Sequence, residues 1–80
     1  MDELLHFLEQ FSDYFELVEQ NYSPDIGFMM RLKLKGRMRL TQVEFNHGSA
    51  KAKIMDGHVI AKGFLDDLRF ILGQIASGMN

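Results

Sequence analysis

The stretch Phe28-Met-Met-Arg-Leu-Lys-Leu-Lys-Gly-Arg-Met-Arg-Leu-Thr-Gln-Val-Glu-Phe45 alternates two chemistries. Phe28, Met30, Leu32, Leu34, Met38 and Leu40 are apolar, and Arg31, Lys33, Lys35, Arg37 and Arg39 are cationic. Successive strand side chains point to opposite faces, so this period of two predicts a β ribbon with one apolar and one positive face. A helix would scatter both sets around its axis. Eighteen residues exceed the usual strand of about five or six, and Gly36 is the natural break. A loop Lys35-Gly36-Arg37 would place Leu34 opposite Met38, Leu32 opposite Leu40 and Lys33 opposite Arg39, keeping both faces uniform. A hairpin is therefore expected, with a continuous strand bulged at Gly36 as the fallback.

Upstream, Leu4, Leu8, Phe11, Phe15, Val18 and Tyr22 recur at helical steps of four and three, which predicts a helix over 2–22. Its acids Glu3, Glu9, Asp13 and Glu16 lie off that stripe. Ser23-Pro24-Asp25-Ile26-Gly27 ends it, because Pro24 lacks an amide hydrogen and disfavours helix at the residue before it. Downstream, Asn46-His47-Gly48-Ser49 reads as a turn into a strand at 50–55. A tight turn at His47-Gly48 pairs Glu44 with Lys51, Val43 with Ala52 and Phe45 with Ala50. Asp56-Gly57 is a two-residue hairpin signal that returns a strand at 58–62. These registers put Thr41, Val43, Phe45, Ala50, Ala52, Ile54 and Val59 on the same face as Arg31, Lys33 and Arg39. The apolar face would thus change sides, which calls for a bulge or for cover on both faces of the sheet, the latter favouring a dimer or one helix on each side. Phe64, Leu65, Leu68, Phe70, Ile71, Leu72 and Ile75 predict a deeply buried second helix over 64–77. Asp66 and Asp67 suit its positive start, Gly73 suggests a close approach, and Gly78 a stop.

The chain has 80 residues and 46% hydrophobic side chains, which suits one small domain spanning 1–80. Without cysteine it can form neither a disulfide nor a cysteine-ligated zinc site. Met1-Asp2-Glu3 lacks the basic region of a signal peptide, and no apolar run approaches the ~18 residues of a membrane span. A cytoplasmic location without membrane contact is the expectation. The net charge of −2 conceals a partition. Residues 1–27 hold seven acids and no Lys or Arg, whereas residues 28–62 hold eight Lys or Arg against Glu44 and Asp56.

No motif for chemistry emerges. His6, His47 and His58 lack metal-ligand spacing. His47-Gly48-Ser49 places a base beside a hydroxyl in sequence, which is not hydrogen-bond geometry, and it reads as a turn. Asp66 and Asp67 diverge by about 100° on a helix. No Gly-rich run joins a strand to a helix with a lysine. Neither a catalytic residue, a metal site nor a cofactor is predicted, and the chain is read as a non-enzyme.

The order helix, three strands, helix is similar to that of the double-stranded-RNA-binding domain. Gly63-Phe64-Leu65-Asp66-Asp67 has acids where that family needs cations, so the likeness stops at element order.

The expected architecture is α+β: an N-terminal helix, a three- to four-stranded antiparallel meander and a C-terminal helix. The feature with functional force is the basic face, Arg31, Lys33, Lys35, Arg37 and Arg39, joined by Lys51 and Lys53 from the next strand. It predicts a binding protein (adaptor, regulator or inhibitor, including the phage-encoded kind) that meets an acidic protein surface as a homodimer. The alternative is a nucleic-acid-binding domain using the same face, although base stacking needs aromatics among the cations and only Phe45 offers one.

Overall fold

The computed structural model describes residues 2–36 and 43–78. Its elements are α1 (Asp2–Glu9), β1 (Phe15–Ser23), β2 (Gly27–Leu34), β3 (Val43–His47), β4 (Ala50–Met55), β5 (His58–Gly63) and α2 (Leu65–Ser77). The class is the expected α+β, with five antiparallel strands in place of three or four, in the order β1-β2-β5-β4-β3.

The extra strand comes from the predicted first helix, which stops at Glu9 rather than reaching residue 22. A turn follows, in which Phe15 N–H donates to the Phe11 carbonyl at 2.9 Å, and β1 then pairs with β2. The pairing matches Phe15 with Leu34, Leu17 with Leu32, Gln20 with Met30 and Tyr22 with Phe28. The register shifts between Leu17 and Glu19, so Val18 is an extra residue opposite no partner. One inserted residue turns the alternation 15, 17 into 20, 22. That irregular spacing is why the segment imitates a helical stripe, although Phe, Val and Tyr suit a strand at least as well.

β2 sits between β1 and β5. Leu32 faces Leu17 on one side and Val59 on the other, and Leu34 N–H donates to the Gly57 carbonyl at 2.9 Å. Both edges of β2 are taken, so the expected hairpin at Gly36 does not form: Leu32, Lys33 and Leu34 have other partners. The fallback fails too, because β2 ends at Leu34. Met38, Leu40 and Thr41 lie outside the described residues. The chain instead passes from the middle of the sheet to its far edge at β3 and returns through two hairpins, a Greek-key order read backwards.

This path removes the conflict between faces. Because β5 pairs with β2, Val59 lies beside Leu32 and Ala61 beside Met30. Ile54 and Ala52 continue that side on β4, and Val43 and Phe45 on β3. These apolar residues therefore occupy one face, opposite Arg31 and Lys33, without a change of side. The β3–β4 register differs by two residues from the expected one: Glu44 pairs with Lys53, Val43 with Ile54 and Phe45 with Ala52. The turn is Gly48-Ser49, with Gly48 at φ +56°. A slip of two leaves each side chain on its face. The Asp56-Gly57 turn is as expected, with both residues at positive φ (+51° and +77°), the signature of a type I′ hairpin.

Both helices lie on the apolar face. α2 packs against β3, β4, β5 and α1, burying Leu68, Ile71, Leu72 and Ile75. Phe64 and Phe70 stay about half exposed, so α2 is less enclosed than its apolar circumference suggested. α1 buries Leu4 and Phe7, and the rings of Phe7, Phe11 and Phe15 form a ladder at 5.5 and 6.1 Å. The Arg69 guanidinium over the Phe7 ring at 5.7 Å ties the helices together. Gly73 serves no close approach, since a side chain there would meet nothing within 4 Å. Gly63 does: it adopts φ +141°, and a Cβ would strike Ala50 of the adjoining strand.

Candidate interaction surface on the open face of the sheet

Alternation sends the other half of each strand to a face that neither helix covers. Three cross-strand rows compose it. The first runs Asn21, Met29, Lys62, Lys51, Asn46. The second runs Glu19, Arg31, Ile60, Lys53, Glu44. The third runs Glu16, Lys33, His58, Met55.

The right-handed twist of a sheet bends such a face into a saddle, and here the saddle holds an open trough of about 800 Å³. Met29 and Ile60 form its floor, 46% and 49% exposed. Arg31, Lys51, Lys53 and Lys62 stand around them, with Glu19 and Glu44 at the two margins. Arg31 Nη2 approaches Glu19 Oε1 at 3.7 Å across β1 and β2.

Of the cations expected on the basic face, Arg31, Lys33, Lys51 and Lys53 share this surface. Lys35 does not, because its ammonium donates to the Ser12 carbonyl at 2.8 Å and is drawn to the α1–β1 turn. Arg37 and Arg39 lie outside the described residues. Lys62 is the residue that inspection of the sequence missed. Its exposure was signalled, since Val59 and Ala61 alternate with Ile60 and Lys62 and burying the former exposes the latter, but the face it shares depends on the pairing of β5 with β2. Val43 and Phe45, expected among the cations, lie on the helix side instead. Among the described residues the open face therefore carries no phenyl or phenol ring.

The remaining polar groups form a different cluster. Ser49 donates to the Asp67 carboxylate from its backbone amide at 2.9 Å and from its hydroxyl at 2.8 Å. The same hydroxyl accepts the Phe64 N–H at 3.2 Å, at the start of α2. These two bonds, the backbone one foremost, hold the Asp67 carboxyl below its usual range. His47 stacks on Phe70 with ring centres 3.8 Å apart, and its Nε2 lies 4.0 Å from Asp67. The serine hydroxyl points to the carboxylate rather than to the imidazole, so His47 is not a base poised on Ser49. The cluster ties the β3–β4 turn to the helix start. His58 engages the Asp56 carbonyl at 3.1 Å, and among the described residues no three His, Asp or Glu gather to hold a metal. No described helix is long and apolar enough to cross a membrane.

No protein-family model matches this chain, and no characterised protein or solved structure matches it.

Proposed function

We propose that this chain is a non-enzymatic binding protein whose open sheet face docks on an acidic surface of a partner protein. One observation carries the reading: four cations, Arg31, Lys51, Lys53 and Lys62, from β2, β4 and β5 gather around an exposed apolar floor on a face with no helix over it. An apolar centre inside a charged rim is the anatomy of a protein interface. The expected nucleic-acid alternative has less support. Single-stranded binders stack bases on aromatic rings, and among the described residues this face offers only the imidazole of His58, with no phenyl or phenol ring. Glu16, Glu19 and Glu44 at its margins would oppose a phosphate chain running beyond the trough.

Self-association belongs to the same reading as a proposal. Both helices lie on one side of the sheet, so cover on both faces does not favour a dimer. What supports it now is the apolar surface left open beside them, with Tyr22 56%, Ile26 46% and Phe64 43% exposed. Sedimentation at high concentration should give twice the monomer mass, and a strict monomer rejects the dimer.

The test of docking uses a partner captured from cell extract, identified, purified and bound again. The native chain should bind it with salt-sensitive affinity, unaffected by nuclease. The triple variant Arg31→Glu, Lys53→Glu, Lys62→Glu should lose binding. Equal binding by the variant, or loss on nuclease treatment, overturns the reading.

A further inference from the structure

The cations of the open face are not equivalent. Arg31 has Glu19 beside it in its row, Lys53 has Glu44, and Lys33 has Glu16. Lys51 and Lys62 face each other directly, and their row ends in Asn21 and Asn46 rather than in acids. Like charges opposed across an antiparallel pair are destabilising. Among the described residues neither lysine enters an ion pair. The fold thus keeps a repulsive pair at the one described row without carboxylates, next to exposed Met29 and Ile60.

Resting on the docking reading above, we propose that Lys51 and Lys62 together seat one carboxylate of an extended acidic segment of the partner protein. An apolar side chain two residues further along that segment lies on Met29 and Ile60. The spacing agrees. Neighbouring strands are about 4.8 Å apart, so the midpoint of the lysine pair lies ~7 Å from Met29 along the row. An extended chain advances by about the same distance over two residues. Charge selects a short acidic segment over a polyanion, because the next row, one side-chain step along the strands, presents Glu19 and Glu44 at both ends.

The experiment titrates the isotopically labelled full chain with the capped peptide Ser-Glu-Ser-Leu-Ser-Glu-Ser and follows its resonances. Its glutamine analogue and a short oligothymidylate are the other arms. The glutamate peptide should shift Lys51, Lys62, Met29 and Ile60, and the glutamine peptide should not. Lys51→Gln and Lys62→Gln should each weaken binding roughly tenfold, the scale of one charge-assisted contact, while Lys33→Gln should change it less than twofold. Lys62→Gln should also raise the melting temperature of the free chain at low salt, and Lys53→Gln should not.

Equal binding of the two peptides overturns the proposal, as does binding unchanged by both lysine variants. If Arg31→Gln or Lys53→Gln abolishes binding instead, the seat is misplaced while the docking face stands. Absence of shifts on this face at millimolar peptide, or shifts caused by the oligothymidylate alone, overturns the seat and the protein-docking reading together.

Discussion

The Ser49 hydroxyl donates to the Asp67 carboxylate at 2.8 Å across 18 residues of chain, and this bond joins the far edge of the sheet to the first turn of α2. Asp67 accepts the Ser49 amide as well, at 2.9 Å, and Gly48 leaves room for it: a Cβ there would lie 2.5 Å from the carboxylate. Helix start and hairpin turn are thus one unit.

The unit makes stability depend on acid. The Ser49 bonds lower the Asp67 pKa in the folded state, whereas the unfolded chain has an ordinary aspartate near about 3.9. A group depressed on folding contributes fully above its unfolded pKa and loses that contribution as pH falls through its folded one. Melting temperatures of the native chain should therefore drop below about pH 4 more steeply than those of Asp67→Asn. Parallel curves for the two proteins between neutral pH and pH 2 would remove Asp67 from the acid response.

Leu32 and Ile60 test which face is the core. They stand on adjacent strands, one residue out of step, with exposures of 0% and 49%. Leu32→Ala leaves a cavity between Leu17 and Val59 and should cost about 2–5 kcal/mol. Ile60→Ala removes surface already half in water and should cost under about 1 kcal/mol. Denaturant midpoints decide it, and equal losses would contradict the assignment of faces.

Much of this was legible in local pattern. The alternation in Phe28–Leu34, the Asp56-Gly57 turn and the apolar circumference of α2 are short-range signals, and each element appears where its signal stood. Two things were not local. Val18 is inserted into β1, and one residue out of phase converts a period of two into steps of three and four that a helix also satisfies. Gly36 has the chemistry of a hairpin turn, but the pairing of β2 with β5 is a contact between distant segments that no nearby residue announces. Lys62 was lost for the same reason: its place among the cations depends on that pairing. Once β5 lies beside β2, the basic face follows from parity alone.

Glycine positions separate strain from space. Gly63, at φ +141° and pressed on Ala50, cannot take a side chain without parting β4 from β5. Gly63→Ala should destabilise by at least about 1–3 kcal/mol. Gly73 is helical with open space around it, so Gly73→Ala should stabilise by up to about 1 kcal/mol through helix propensity. Chemical denaturation of both variants should move the midpoint in opposite directions. A loss at Gly73 comparable to that at Gly63 would restore the close approach expected from sequence.

The bulge at Val18 guards an edge. β1 pairs with β2 on one side only, and a free strand of nine residues is a template for pairing with other chains. Val18 interrupts it, and Glu16 and Glu19 flank the interruption. Since Leu17 pairs with Leu32 and Glu19 with Arg31, removing Val18 would join two stretches already in register. Deletion of Val18 should therefore keep the fold, seen as an unchanged far-ultraviolet circular dichroism spectrum, while flattening the edge and raising self-association in light scattering. Charge at the same edge should oppose this, so replacing Val18 by lysine should leave the chain no more associated than the native one. An unfolded deletion variant would show that the extra residue is needed for β1 to pair at all, and an unassociated one would show that Glu16 and Glu19 suffice.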